Sequence, residues 1–199
     1  MEFYEELEEM GACRSAIMWI VNNGYNLQQA WQNCDRADWM IWLLAEMVEE
    51  PDWPTKPEVI KLVCKLVRRG LSYVPTGEYR PRLAIEAAER WASRPTDKNV
   101  CNLRADVNKA GDAARASANN INTNDAIRAS VNVAVYAVDG NAYDACNAIA
   151  DVARAVWSNY SNYLPNDSKA IMACRAARDK ELAIMGDIIR AEVNLEGIS

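Results

Sequence analysis

The stretch Ala30-Trp31-Gln32-Asn33-Cys34-Asp35-Arg36-Ala37-Asp38-Trp39-Met40-Ile41-Trp42-Leu43-Leu44-Ala45 follows closely on Trp19, so that four tryptophans fall between residues 19 and 42. Trp39 and Trp42 are three residues apart and share one face of a helix. The apolar run Trp39 to Ala45 stops at Glu46, far short of the about 20 residues a membrane span needs. The stretch therefore predicts a buried helix of a soluble protein. Asp35 is the expected cap of a helix reaching Glu49, with Asp38 three residues on in the manner of a capping box.

Working outward, residues 2 to 9 contain five glutamates and predict a short helix whose charge complements the positive end of the helix dipole. A second helix over Cys13–Val21 is closed by Asn22-Asn23-Gly24, and Asn26 caps a third through Trp31. Pro51 to Pro57 reads as a rigid connector, with Pro57 in the first turn of the next helix. There Val59, Leu62, Val63 and Leu66 follow the spacing of one buried face. Val74-Pro75-Thr76-Gly77 ends that helix. Pro81 opens another with Leu83, Ala87 and Trp91 on one stripe, closed by Arg94-Pro95. Residues 105 to 155 hold sixteen alanines, and small side chains let helix axes approach closely. Three long helices are expected, over about 96–119, 124–138 and 141–163, split at Asn119-Asn120-Ile121-Asn122 and at Asp139-Gly140. Pro165 ends the last of them. A final helix from about Asp167 to Val193 has Ile171, Cys174, Leu182, Met185, Ile188 and Ile189 facing inward.

The fold class is thus all-α: nine or ten antiparallel helices in a compact bundle or a short HEAT-like superhelical array. Residues 1–199 are expected to form a single helical domain, with a Trp-rich half (1–95) and an Ala-rich half (96–199) sharing a core. A chain of 199 residues can bury roughly 70% of its unfolded surface, so no metal or disulfide is needed to hold it.

Composition removes several function classes. Histidine is absent, and with it the usual neutral-pH general base, the commonest zinc ligand, and Ser–His or Cys–His catalysis. The net charge of −6, with a basic cluster limited to Lys65, Arg68 and Arg69 plus Arg80 and Arg82, argues against nucleic acid as a partner. No glycine-rich phosphate loop and no carboxylate dyad bracketed by aromatics is present, so no catalytic residue, metal or cofactor is assigned. The six cysteines lie at least 21 residues apart without a Cys-x-x-Cys pair. With an acidic rather than apolar start, they read as reduced, mostly buried thiols of a cytoplasmic protein.

The remaining candidates for recognition are aromatic and charged. The tryptophans are either core or, for one or two of them, the rim of a partner site, where Trp and Arg concentrate binding energy. Asp35, Arg36 and Asp38 either cap and pair locally or form a polar pocket floored by Trp39. Arg82–Glu86 and Glu86–Arg90 are spaced as helix ion pairs beside Arg80. The N-terminal glutamates are either a solvated face or a match for a basic surface.

The order Ala12-Cys13-Arg14, Trp19, Ala30-Trp31, Cys34-Asp35-Arg36-Ala37-Asp38-Trp39-Met40-Ile41-Trp42-Leu43 resembles the opening of a family of immunity proteins found in bacterial polymorphic toxin systems and phage genomes. The likeness continues in Pro81-Arg82-Leu83-Ala84-Ile85-Glu86-Ala87-Ala88-Glu89-Arg90-Trp91, through an Ala-rich middle, to Asp187-Ile188-Ile189-Arg190. The acidic start and the Asn-rich middle, Ala- and Tyr-dominated elsewhere in the family, depart from the pattern. The resemblance implies an all-helical, non-enzymatic protein that neutralises a protein partner, a toxin or a defence effector, by binding it. Arg14, Trp19, Trp31, Asp35, Arg36, Asp38, Trp39, Arg80, Arg82 and Glu86 are the candidate contacts. The alternative from another class is a nucleotide-like small molecule sequestered in a Trp- and Arg-lined pocket between helices. Nothing in the sequence sets an oligomeric state.

Overall fold

A computed structural model describes residues 2–116, 121–161 and 168–195. The described residues form ten α-helices and one 3-10 turn, with no strand: α1 (Phe3–Glu9), α2 (Arg14–Asn23), α3 (Leu27–Asn33), α4 (Ala37–Glu46), α5 (Lys56–Val67), the 3-10 turn Arg68–Tyr73, α6 (Arg80–Ser93), α7 (Asp97–Ala116), α8 (Ile121–Asp139), α9 (Ala142–Ser161) and α10 (Ser168–Glu192). Helices distant in sequence pack together: α9 against α4, α5 and α10 as well as α8, and α8 against α5, α6 and α7. A superhelical array contacts only its neighbours. The arrangement here is a compact all-α bundle with α8 and α9 at its centre, and one cluster of buried apolar residues runs from Leu7 to Leu195. Among the described residues no helix is long and apolar enough to cross a membrane.

Alanine makes the centre possible. Ala129, Ala134, Ala145, Ala148 and Ala155 are fully buried, so α8 and α9 meet with little side chain between them. The same preference moves two expected stripes. On α6 Ala87 is buried as expected, but the rest of the buried face is Ala84, Ile85, Ala88 and Ala92, while Trp91 is half-buried and Leu83 stays 41% exposed. On α10 Ala170 and Cys174 turn inward and Ile171 is 41% exposed. In both helices the close approach selects the small residue, and a large one lying about 100° round the helix is left outside.

Boundaries differ where local chemistry does. Asn26 caps α3 as its sequence suggests, exchanging hydrogen bonds with Gln29. Gly24 ends α2 with φ 65°, a left-handed geometry natural to glycine. Thr55 and Glu58 form a capping box for α5 that starts the helix one residue before Pro57. α8 already begins at Ile121, inside the expected break; Asn119, Asn120, Pro165 and Asp167 lie outside the described residues. Gly140 follows α8 with φ 80°, and a Cβ there would stand 3.0 Å from Lys56 Nζ. That lysine sits beside the end of α8, its ammonium 5.4 Å from the Trp91 ring and 5.8 Å from the Tyr136 ring, where a cation complements the helix dipole.

Candidate functional site

The N-terminal third builds a cleft. Helices α1 to α4 surround it and the start of α9 closes one side, where Tyr143 Oη donates to the Gly11 carbonyl at 3.0 Å. The cleft holds about 290 Å³ and is lined mostly by apolar side chains, among them Phe3, Leu7, Leu27 and Leu43.

All four N-terminal tryptophans line it, in two roles. Trp31 and Trp42 are buried in the wall, whereas Trp19 and Trp39 are half-buried. The Trp19 and Trp39 rings lie 6.1 Å apart and tilted, and Tyr25 meets Trp19 edge-on at 5.2 Å; such aromatic pairs stiffen the site beyond the area they bury. Trp42 Nε1–H is buried with no acceptor among the described residues, at a cost of about 1–3 kcal/mol for an unsatisfied donor.

The polar part is one ion pair. Arg36 donates through Nε and Nη2 to Asp38 at 2.9 and 2.6 Å, and its guanidinium lies 4.3 Å from the centre of the Trp39 ring. Burial opposes the charge on Arg36, but the hydrogen bonds and charge of Asp38 outweigh it and hold the pKa above its ordinary value. This pair overturns the expected cap. Asp38 is taken by Arg36, Arg36 itself stands at the cap position without a side-chain cap bond, and Asp35 is exposed.

Three thiols, Cys13, Cys34 and Cys146, also line the cleft. Burial pushes Cys34 up to about 11 and Cys146 up to about 12, which keeps both protonated and poorly nucleophilic at neutral pH. The expectation of mostly buried thiols fits Cys34, Cys64 and Cys174, but Cys13 and Cys101 are exposed. No group of His, Cys, Asp or Glu among the described residues could hold a metal ion.

The structure therefore brings together Trp19, Trp31, Arg36, Asp38 and Trp39. Arg14 and Asp35 are exposed beside the cleft without lining it. Arg80, Arg82 and Glu86 belong to α6, which packs on α5, α7 and α8 away from the cleft. The expected α6 pairs do not form: Arg80 pairs with Glu78, and Arg90 reaches Asp106 on α7 at 3.5 Å.

Two features escape the sequence reading. Arg190 on α10 donates from Nη1 to the carbonyls of Cys34 (2.8 Å) and Trp31 (3.3 Å), fixing the end of α3 behind the cleft. Between α8 and α9, Asp151 is fully buried, accepts from Asn132 Nδ2 at 2.7 Å and packs against the Arg154 guanidinium. The Asp151–Arg154 spacing was the one available signal for the second feature, and nothing local announces the first. In comparisons with protein families, curated proteins and solved structures, no match was found.

Proposed function

We propose that the protein is a non-catalytic binder that inhibits a protein partner, a toxin or defence effector, and that the Trp-lined cleft receives an apolar anchor of that partner. The observation carrying this reading is an open apolar cleft walled by four tryptophans, two of them left half-buried at its mouth. Aromatic pockets of this kind are where binding energy concentrates in interfaces. The absence of chemistry is part of the same proposal. Arg36 and Asp38 satisfy each other, the Cys34 and Cys146 thiols stay protonated, and the sequence has no histidine. A reducing, cytoplasmic location is also proposed, and the free thiols support it. The nucleotide-binding alternative draws less support, because Arg36, the one cation among the described residues that line the cleft, is already committed to Asp38.

The test is capture of the partner from the source cell by the wild-type protein and by two variants. Ala12→Phe fills the cleft and Trp39→Ala strips its mouth. One dominant protein held by the wild type and lost by both variants, with unchanged helical circular dichroism, is expected. Retention by both variants would refute the cleft as the recognition site.

A further inference from the structure

The cleft's occupant can be specified further, on the reading that the cleft is the recognition site. We infer that it is a basic segment of a second protein: one or two large apolar side chains flanked by lysine or arginine. Two independent features support this occupant.

The first is size. At about 290 Å³ the cleft falls at the bottom of the range of about 300–1,000 Å³ occupied by small-molecule sites. It has room for one or two side chains rather than for a cofactor.

The second is the charge around the mouth. Ionic residues next in sequence to the lining residues Phe3, Leu7, Cys13, Cys34, Arg36 and Tyr143 are Glu2, Glu6, Glu8, Asp35 and Asp144 against a single Arg14. On α1 the stripe Phe3–Leu7 faces the cleft, so Glu6 and Glu8 stand about 100° to either side of Leu7 and both are exposed. Arg36 does not offset this rim because Asp38 neutralises it. A fatty acid or other apolar anion would bring its head group against these carboxylates, whereas flanking Lys or Arg side chains would meet them favourably.

The experiment uses the intact chain and three probes. Two are fluorescein-labelled short peptides with a Phe-Leu centre, flanked on both sides by lysines in one and by glutamates in the other; the third is decanoate. Binding of the peptides is read by anisotropy and that of decanoate by tryptophan fluorescence. The lysine peptide is expected to bind at least about tenfold more tightly than the glutamate peptide at low salt, with the gap closing as salt rises. Glu6→Gln with Glu8→Gln, both on the exposed face of α1, should remove most of that preference, and Ala12→Phe or Cys13→Phe should abolish binding. Equal peptide affinities, tighter binding of decanoate, or no binding of the lysine peptide would overturn the inference. Lysine-peptide binding that survives both cleft-filling variants would overturn it too, since only surface charge would then be at work. If partner capture still depends on an open cleft while the peptides show no charge preference, the basic occupant fails and the cleft reading stands. If capture is indifferent to filling, both fail.

Discussion

Replacing Arg190 with methionine tests whether the last helix holds the cleft in shape. Arg190 is 22% exposed, and its Nη1 donates to the carbonyls of Trp31 and Cys34 at the end of α3. Hydrogen bonds to a charged group contribute about 1.5–3 kcal/mol each. The Trp31 bond is long at 3.3 Å and the site is partly wet, so the pair together should give about 2–3 kcal/mol rather than the sum of two full bonds. Methionine keeps much of the side-chain volume, which separates the loss of donors from the loss of packing. For a chain of this length 1 kcal/mol moves the midpoint about 2–4 °C, so Arg190→Met should melt about 5–10 °C below wild type by far-UV circular dichroism. Trp31 sits directly on the lost contact, and its emission should shift to the red. Asp187, the carboxylate partner of Arg190, is 76% exposed; Asp187→Ala is the control and should change stability by under about 0.5 kcal/mol. An Arg190→Met protein melting within about 1 °C of wild type would show that the α3 end is held by packing alone.

Four further outcomes follow from other contacts. Asp35→Ala should change stability by less than about 0.5 kcal/mol, because Asp35 is exposed and caps nothing; a loss near 1 kcal/mol in chemical denaturation would restore the capping role. Asp151→Ala removes the buried carboxylate to which Asn132 donates and leaves Arg154, 43% exposed, with Asp125 at 3.9 Å, so it should cost about 1–3 kcal/mol; a cost below about 0.5 kcal/mol would mean the cluster contributes nothing. Cys34 and Cys146 have folded pKa values of about 11 and about 12, above the ordinary 9.0. The unfolded chain therefore loses its protons first, so their contribution to stability is complete below about pH 9 and declines as pH rises through 11. Melting temperatures should fall over that window, and Cys34→Ser should reduce the slope. At neutral pH the exposed Cys13 and Cys101 should react with a thiol reagent well before the buried Cys34, Cys64 and Cys174.

How far the site was legible depended on how local its causes are. The Asn26–Gln29 cap and the Gly24 stop are formed within a few residues, and both stand as the sequence suggests. The cap expected at Asp35 failed for a reason equally close at hand, since Arg36 offers Asp38 two donors and a Trp39 face at once. The expected stripes on α6 and α10 fail at Leu83 and Ile171, large side chains that stay 41% exposed. Close helix packing seats alanines at the contact instead.

What the sequence determined by itself was the class of the molecule: few breakers, alanine-rich spacing and an indole-rich first third admit helices packed on helices and little else. What only the tertiary structure decided was which side chains meet. Tyr143 reaches Gly11 across 132 residues and Arg190 reaches Cys34 across 156, and these two contacts close and brace the cleft. Helical periodicity acts over a turn or two, so it announces a face; the partner of that face is chosen only when the whole chain is folded.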